Sequence, residues 1–151
     1  MTAVAILDTT VLCEILDVPG KAEDHRRFLG AFRERLDRGE QILLPVVTVV
    51  ECGNHIGQCG DGSVRRRAAL RFAKFVTDTI EQCLLAPAPW DQEDPILNLL
   101  KEFPDWAKRG SGFGDLAIRH LFDRQCVLNP RRRVYVWSKD RHLAAFDRQV
   151  G

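Results

Sequence analysis

Short, uninterrupted apolar runs recur along this chain and narrow its choice of fold more than any other pattern. Residues 3–7 (Ala-Val-Ala-Ile-Leu) form the first run, and residues 134–137 (Val-Tyr-Val-Trp) form the last. A strand with one face in water alternates apolar and polar side chains, whereas a strand buried on both faces of a parallel sheet is apolar throughout. These runs therefore predict a sheet whose strands are covered by helices on both sides.

Between the runs, apolar residues recur at the spacing of amphipathic helices. The predicted strands cover residues 3–7, 41–44, 84–88 and 134–137, and the predicted helices cover 10–18, 21–38, 48–59, 63–83, 91–103 and a segment starting at 115. Gly39 and Ser63 are the expected helix caps, and Pro104 is expected to end the fifth helix. Pro87 and Pro89 make the third strand an expected edge strand. Strands that alternate with helices, without hairpins between them, predict an α/β fold with a mostly parallel sheet.

Length and composition fit one globular domain spanning residues 1–151. The chain is 45% hydrophobic, and no apolar run approaches the roughly 20 residues that cross a bilayer. Its first residues lack the long apolar stretch of a signal peptide. Five cysteines, odd in number and scattered among apolar neighbours, are typical of reduced thiols, so we expect a cytoplasmic protein. A net charge of +1 is not typical of proteins that bind nucleic acid by bulk electrostatics.

Four acidic residues occupy similar places in this pattern: Asp8, Glu51, Asp115 and Asp140. Asp8 directly follows the first strand and Asp140 comes three residues after the last, while Glu51 and Asp115 lie at the starts of predicted helices. In open parallel sheets, ligands bind beyond the carboxyl ends of the strands, where loops lead into helices. We therefore expect all four carboxylates to reach one edge of the sheet.

Carboxylates gathered at one edge need a counter-charge, because like charges a few ångströms apart repel one another or take up protons. Ligand oxygens alone favour hard cations, so the expected ions are Mg²⁺ or Mn²⁺. Such ions generate hydroxide from water and stabilise the charge that develops on a phosphate under in-line attack. The joint placement of the four acids thus predicts a metal-dependent phosphodiesterase.

Each acid also has a purely structural interpretation when it is taken alone. Thr48 and Glu51 have the spacing of a capping box, whose role is to start a helix. Asp115 would stabilise a helix N-terminus through the helix dipole. Asp8 and Asp140 would be ordinary turn residues after strands. It is the shared placement of all four that favours a metal site.

Four short segments carry a family resemblance: Asp8-Thr-Thr after the first strand, Thr48-Val-Val-Glu51 at a helix start, Asp115-Leu-Ala-Ile after a glycine-rich turn, and Ser138-Lys-Asp140 after the last strand. In this order and at this spacing, they resemble the PIN domain. This family of small nucleases includes the toxins of many bacterial and archaeal VapBC-type toxin–antitoxin pairs. The resemblance spans nearly the whole chain and implies a single PIN-like, three-layer domain.

The resemblance also implies roles for individual residues. Asp8, Glu51 and Asp115 would bind Mg²⁺ or Mn²⁺, with Asp140 a weaker ligand acting through water. Thr10 and Ser138 would position the attacking water or the phosphate. The implied substrate is RNA, cut endonucleolytically, and the implied partners are a small antitoxin protein and a second copy of the chain.

Two other functions remain open. One is a catalytically silent PIN-fold module that binds RNA or a protein, although such a module would be free to lose its four acids. The other is a phosphohydrolase that forms an aspartyl phosphate on Asp8. That chemistry usually requires a second acid two residues after the nucleophile, and Thr10 stands there instead.

Two arginine-rich segments and one cysteine-histidine set have alternative interpretations as well. Arg65, Arg66 and Arg71 either line an entry groove for phosphates or form a solvated helix face. The run at residues 131–133 precedes the last strand, so we expect it at the sheet edge opposite the acids. Cys52, His55 and Cys59 have the helical spacing of a metal half-site. Packed thiols are nevertheless the favoured interpretation.

Overall fold

The computed structural model describes residues 2–88 and 95–151 and confirms a three-layer α/β fold. The strands are β1 (Val4–Leu7), β2 (Gln41–Pro45), β3 (Leu85–Ala88), β4 (Val134–Trp137) and β5 (Asp147–Arg148). The helices are α1 (Thr9–Ile15), α2 (His25–Asp37), α3 (Val46–Gly57), α4 (Gly62–Glu81), α5 (Pro95–Lys108), α6 (Phe113–Leu128) and α7 (Arg141–Ala144).

The five strands form one sheet in the order β3-β2-β1-β4-β5. β1 pairs in parallel with β2 and with β4, and β2 pairs in parallel with β3, which confirms β3 as an edge strand. β5 is antiparallel to β4. Because β1, β2 and β4 are parallel neighbours, their carboxyl ends meet at one edge of the sheet. The segments that carry Asp8, Glu51 and Asp140 follow those three ends.

Both faces of the sheet are buried, which explains the uninterrupted apolar runs. In β1, Ala5 and Leu7 point into the core shared with helices α1 to α4, whereas Val4 and Ile6 point into the core shared with α6 and α7. All four side chains are 0% exposed. An alternating strand would place polar groups in one of these cores, so the apolar run is a requirement of the three-layer architecture.

Helices α1, α3 and α6 begin one or two residues before their predicted starts, and the starts of α2 and α4 differ for reasons that the structure shows. α2 starts at His25 rather than at residue 21, because the preceding turn is held by the Glu14 carboxylate, which accepts hydrogen bonds from the backbone N–H groups of Glu23 and Asp24. α4 starts at Gly62, with Asp61 as its cap, so the predicted cap at Ser63 was wrong. Asp61 Oδ1 accepts from the N–H groups of residues 63 and 64, the donors that a cap must satisfy.

Two further predictions fail in the second half of the chain. Pro104 lies inside α5 instead of ending it, because packing of α5 on α6, including the edge-on contact of Phe103 with Phe113, outweighs the lost backbone hydrogen bond. Residues 134–137 are not the last strand, since the two-residue β5 follows, which is too short to show a periodicity. The predicted helix start at residues 91–94 lies outside the described residues. The positive φ of Gly39, at +70°, confirms its place after the end of α2.

The cysteines and the long helices complete the description. All five cysteines are free. Cys52 packs with its sulfur 3.9 Å from that of Cys13, and the Cys59 thiol donates to the carbonyl oxygens of Pro19 and His55, so these are packed thiols. No helix within the described part of the chain has both the length and the apolar character needed to cross a membrane.

Candidate functional site

The four predicted acids line one cavity of about 220 Å³ at the carboxyl edge of the sheet: Asp8, Glu51, Asp115 and Asp140. Asp8 follows β1 directly, and its backbone N–H donates to the carbonyl of Trp137 on the neighbouring strand. Glu51 enters from α3, Asp115 from the first turn of α6, and Asp140 from the start of α7. The convergence expected from the pattern of strand ends is therefore present.

Asp8 is the most buried of the four, at 4% exposure, and its Oδ2 atom is the centre of a hydrogen-bond network. The hydroxyls of Thr10 and Ser138 both donate to Oδ2, each at 2.7 Å. Those hydroxyls in turn accept hydrogen bonds from the backbone N–H groups of Lys139 and Asp140, each at 3.0 Å. The network ties the loop after β4 to the carboxylate that ends β1.

This network bears on the expected role of Thr10 and Ser138. Because both hydroxyl hydrogens point to Asp8, these residues orient the carboxylate in the structure as it stands. Only Thr10 also lines the cavity. Direct positioning of water or phosphate by either hydroxyl stays a prediction.

Glu51 does not belong to a capping box, so that interpretation was wrong. α3 begins at Val46 with Pro45 as its cap residue, which places Glu51 in the second turn. Thr48 is fully buried, and its hydroxyl donates to the carbonyl of Leu7 at 2.8 Å. Residues three apart share a helix face, so the anchor at Thr48 brings Glu51 above the end of β1.

Two residues that the sequence did not single out hold the Glu51 carboxylate. The Thr9 hydroxyl donates to Glu51 Oε2 at 2.8 Å. The other oxygen, Oε1, lies against Gly114, where a Cβ would come 3.0 Å from Glu51 Cδ and 3.2 Å from Val47 Cγ2. The glycine before Asp115 is thus needed for close approach of α6 to α3, and a glycine inside a first helical turn was the available signal.

Asp115 and Asp140 combine helix capping with a place in the cavity. Asp115 Oδ2 accepts from the N–H of Gly112 at 3.3 Å, and Asp140 Oδ1 accepts from the N–H of His142 at 2.8 Å. Burial, and then the negative charges of Asp8 and Asp140, raise the pKa of Asp115, which the Gly112 bond and the nearby His142 only partly offset. Asp115 thus lies at a helix start, as its structural interpretation has it, whereas Asp140 caps α7 instead of being an ordinary turn residue. Both side chains also line the cavity.

The four acids offer only oxygen donors, the ligand type that hard cations prefer. In each of the four acids, the hydrogen bonds from described residues reach a single oxygen, and the second oxygen accepts none from them. Carboxylates that bind metals are held in this manner by partners behind the site. Within residues 2–88 and 95–151, no three His, Cys, Asp or Glu side chains stand close enough to share an ion without rearrangement. Glu51, Asp115 and Asp140 are only partly buried, so their side chains have room to approach one.

A buried ion pair beside the cavity was not predicted from the sequence. Glu14 is 0% exposed, and its Oε1 accepts a hydrogen bond from the Lys139 ammonium at 2.6 Å. Burial alone would raise the pKa of Glu14, but the bonds from Lys139, Glu23 and Asp24 together lower it. Lys139 lines the cavity, as does Lys21. A single glutamate in an apolar helix was the only hint in the sequence.

The structure does not bring the arginines to the cavity. The Arg65 guanidinium donates to the carbonyls of Cys59 and Gly60, and Arg71 donates to the carbonyls of Leu16 and Asp17. Arg66 is exposed on α4. A phosphate groove along these residues stays a prediction.

The second arginine run lies where it was expected. Arg132 donates to the carbonyls of Thr2 and Ala3, and Arg133 pairs with Asp147, at the edge opposite the acids.

No family model matches this chain, and no curated protein matches it significantly. The resemblance to PIN domains therefore depends on the four segments named above.

Proposed function

We propose that this protein is a metal-dependent endoribonuclease that hydrolyses RNA phosphodiester bonds at the cavity of the four acids. One observation carries the proposal. Four carboxylates from four separate segments line a single cavity at the carboxyl edge of a parallel sheet, and each is held through one oxygen only. Such a set is costly for a fold to maintain without a cation or a function.

Asp8, Glu51 and Asp115 would hold Mg²⁺ or Mn²⁺, and Asp140 would reach the ion through water. The ion, when bound, supplies an activated water and stabilises charge on the phosphate under attack. The chain's own contribution is orientation. Thr10 and Ser138 orient the Asp8 carboxylate through one of its oxygens, and Thr9 does the same for Glu51.

Cleavage of a labelled single-stranded RNA by the purified protein tests this proposal. We expect cleavage with Mg²⁺ or Mn²⁺, none with EDTA, and a loss of about a hundredfold or more in Asp8→Asn, because several kcal/mol of charge stabilisation depend on the bound ion. Asparagine keeps an acceptor for the Thr10 N–H and so preserves the start of α1. Asp61→Asn removes the same charge at the start of α4, outside the cavity, and should leave the rate unchanged.

Other outcomes distinguish the alternatives. RNA binding without cleavage in any metal would favour a silent PIN-fold module. Mg²⁺-dependent release of phosphate from small esters, with no action on RNA, would favour a phosphohydrolase. Full activity in Asp8→Asn would remove Asp8 from the site.

We further propose, on the resemblance alone, that the ribonuclease is the toxin of a toxin–antitoxin pair and pairs with a second copy of itself. Five free thiols support a location in the reducing cytoplasm. A small neighbouring gene that encodes a DNA-binding protein, and whose product relieves growth arrest on co-expression, would support the toxin role. Growth that is unaffected by expression of the chain alone would count against it.

A further inference from the structure

The cavity of the four acids also has a cationic side. Of the five lysines in the chain, Lys21 and Lys139 line it. Lys139 is committed to the buried carboxylate of Glu14 at 2.6 Å and lies 3.7 Å from Glu23, so its charge is largely offset. Lys21 is exposed, and its ammonium forms no hydrogen bond or ion pair with the described residues. The cavity therefore has one cation available to a ligand within that part of the chain.

The backbone beneath Lys21 is fixed, although the residue lies in a connection between helices. The Lys21 N–H donates to the carbonyl of Val18, and the Val18 N–H donates to the carbonyl of Cys13, each at 3.0 Å. Val18 is 1% exposed. Downstream, the Glu14 carboxylate accepts the N–H groups of residues 23 and 24, each at 2.9 Å. Glu14 thus holds both lysines at the cavity, Lys139 directly and Lys21 through the connection.

Lys21 and Asp115 approach the cavity from opposite layers of the fold. α1 and α2, which flank Lys21, cover one face of the sheet, and α6, which carries Asp115, covers the other. Asp8 lies between them at the end of the central strand. Because Lys21 lines the same cavity as the acids, an RNA chain with its scissile phosphate at the acids would have its flanking phosphates beside the side of the cavity that Lys21 forms.

We propose that Lys21 binds the substrate phosphate adjacent to the scissile one, with Glu14 as the positioning residue that holds its loop. This inference rests on the proposed ribonuclease function. The carboxylates repel phosphates, whereas the unpaired Lys21 ammonium attracts them. The RNA backbone should therefore enter the cavity on the side of Lys21. Lysine serves as a point charge for phosphate, whereas Arg65 and Arg71 of α4 are engaged with backbone carbonyls.

Binding is measured first, so that the result does not depend on catalysis. In the Asp8→Asn background, with Mg²⁺ present, the probe is a fluorescein-labelled RNA dodecamer followed by anisotropy. Lys21→Gln should weaken binding about fivefold to tenfold and lower the slope of log K against log salt by about 0.7, the value for one phosphate contact on a single strand. Lys21→Arg should bind within about twofold of the parent, because the charge is kept.

Lys101→Gln is the matched control, since it removes the same charge from an exposed position on α5 outside the cavity lining. In the active protein, Lys21→Gln should raise KM about as much as it raises Kd and change kcat by less than about twofold.

Equal losses in Lys21→Gln and Lys101→Gln, or no loss in either, would overturn the inference, as would absence of any RNA binding. If the wild type binds RNA through Lys21 but never cleaves it, the ribonuclease proposal fails while the phosphate contact stands.

Discussion

A methyl group at position 114 would collide with the Glu51 carboxylate. The end of that side chain can yield, so Gly114→Ala should displace the carboxylate from Thr9 rather than unfold α6. Alanine is also the better helix former, by roughly 1 kcal/mol. We expect cleavage to fall about tenfold or more while the melting temperature changes by only a few degrees, as measured by RNA cleavage and by thermal unfolding.

Gly53→Ala provides the comparison, because Gly53 lies on α3 as Glu51 does and a Cβ there meets nothing within 4 Å. That variant should keep full activity. Unchanged cleavage in Gly114→Ala would mean that the position of Glu51 does not limit catalysis.

Glu14 makes stability depend on pH in a direction that its contacts determine. Its pKa in the folded protein is lowered, so the folded state binds this proton less readily than the unfolded chain does. The resulting stability is present above the usual glutamate pKa of about 4.3 and is lost as the pH falls through the lowered value. Glu14→Gln should cost about 2 kcal/mol at pH 7, and its difference in stability from the wild type should disappear as the pH falls through the lowered pKa of Glu14.

Urea unfolding of the wild type and of Glu14→Gln, from pH 7 downwards, measures this difference in the free energy of unfolding. Glu23→Gln is the control, since Glu23 lies in the same connection but its side chain is 84% exposed. A difference in unfolding free energy that stays constant with pH would show that the Glu14 charge is not stabilised by its partners.

Thr48 joins α3 to β1, and its replacement tests how the helix is placed. Thr48→Val keeps the shape but removes the hydroxyl that donates to the Leu7 carbonyl, leaving a buried acceptor without this partner. We expect a loss of about 1 to 3 kcal/mol in the free energy of unfolding, together with reduced cleavage because Glu51 lies one turn further along. Thr79→Val removes a buried hydroxyl within α4, far from the cavity, and should lower stability without changing cleavage per folded molecule.

The elements were predictable where a pattern is long and its cause is local. Both-face burial made β1 and β4 visible, and Gly39 marked the end of α2. The misses share a different cause, which is contact between distant segments. Glu14 delays the start of α2 through bonds to residues 23 and 24, and packing against α6 carries α5 past Pro104. Neither effect leaves a periodic trace in the sequence.

The same distinction applies to the site. Strand ends predicted that the four acids share a cavity, because parallel topology brings those ends together. Among the supporting groups, Thr10 and Ser138 were named from the resemblance, whereas others could not be predicted. Thr9 reaches Glu51 and Lys21 reaches the cavity only through the packing of helices on the sheet, which residue spacing does not encode.

Metal binding should stabilise the folded molecule as a whole, since the unfolded chain does not hold the acids together. At an Mn²⁺ concentration about a hundred times its Kd, we expect the free energy of unfolding to rise by about 2.7 kcal/mol. Thermal unfolding against Mn²⁺ concentration measures this in the wild type, in Asp8→Asn and in Asp61→Asn. A similar rise in all three proteins would show that the ion binds elsewhere, and no rise in the wild type would contradict a metal site.

The direction of the strands determines where a label or a tether can be attached without blocking the cavity. β1 begins, and the antiparallel β5 ends, at the edge of the sheet opposite the acids, where Val134 pairs with both Val4 and Arg148. A fluorophore or an immobilisation tether joined at either terminus would therefore emerge on the far side from the cavity. Surface-coupled or single-molecule assays can use attachment points at this edge without obstructing the cavity.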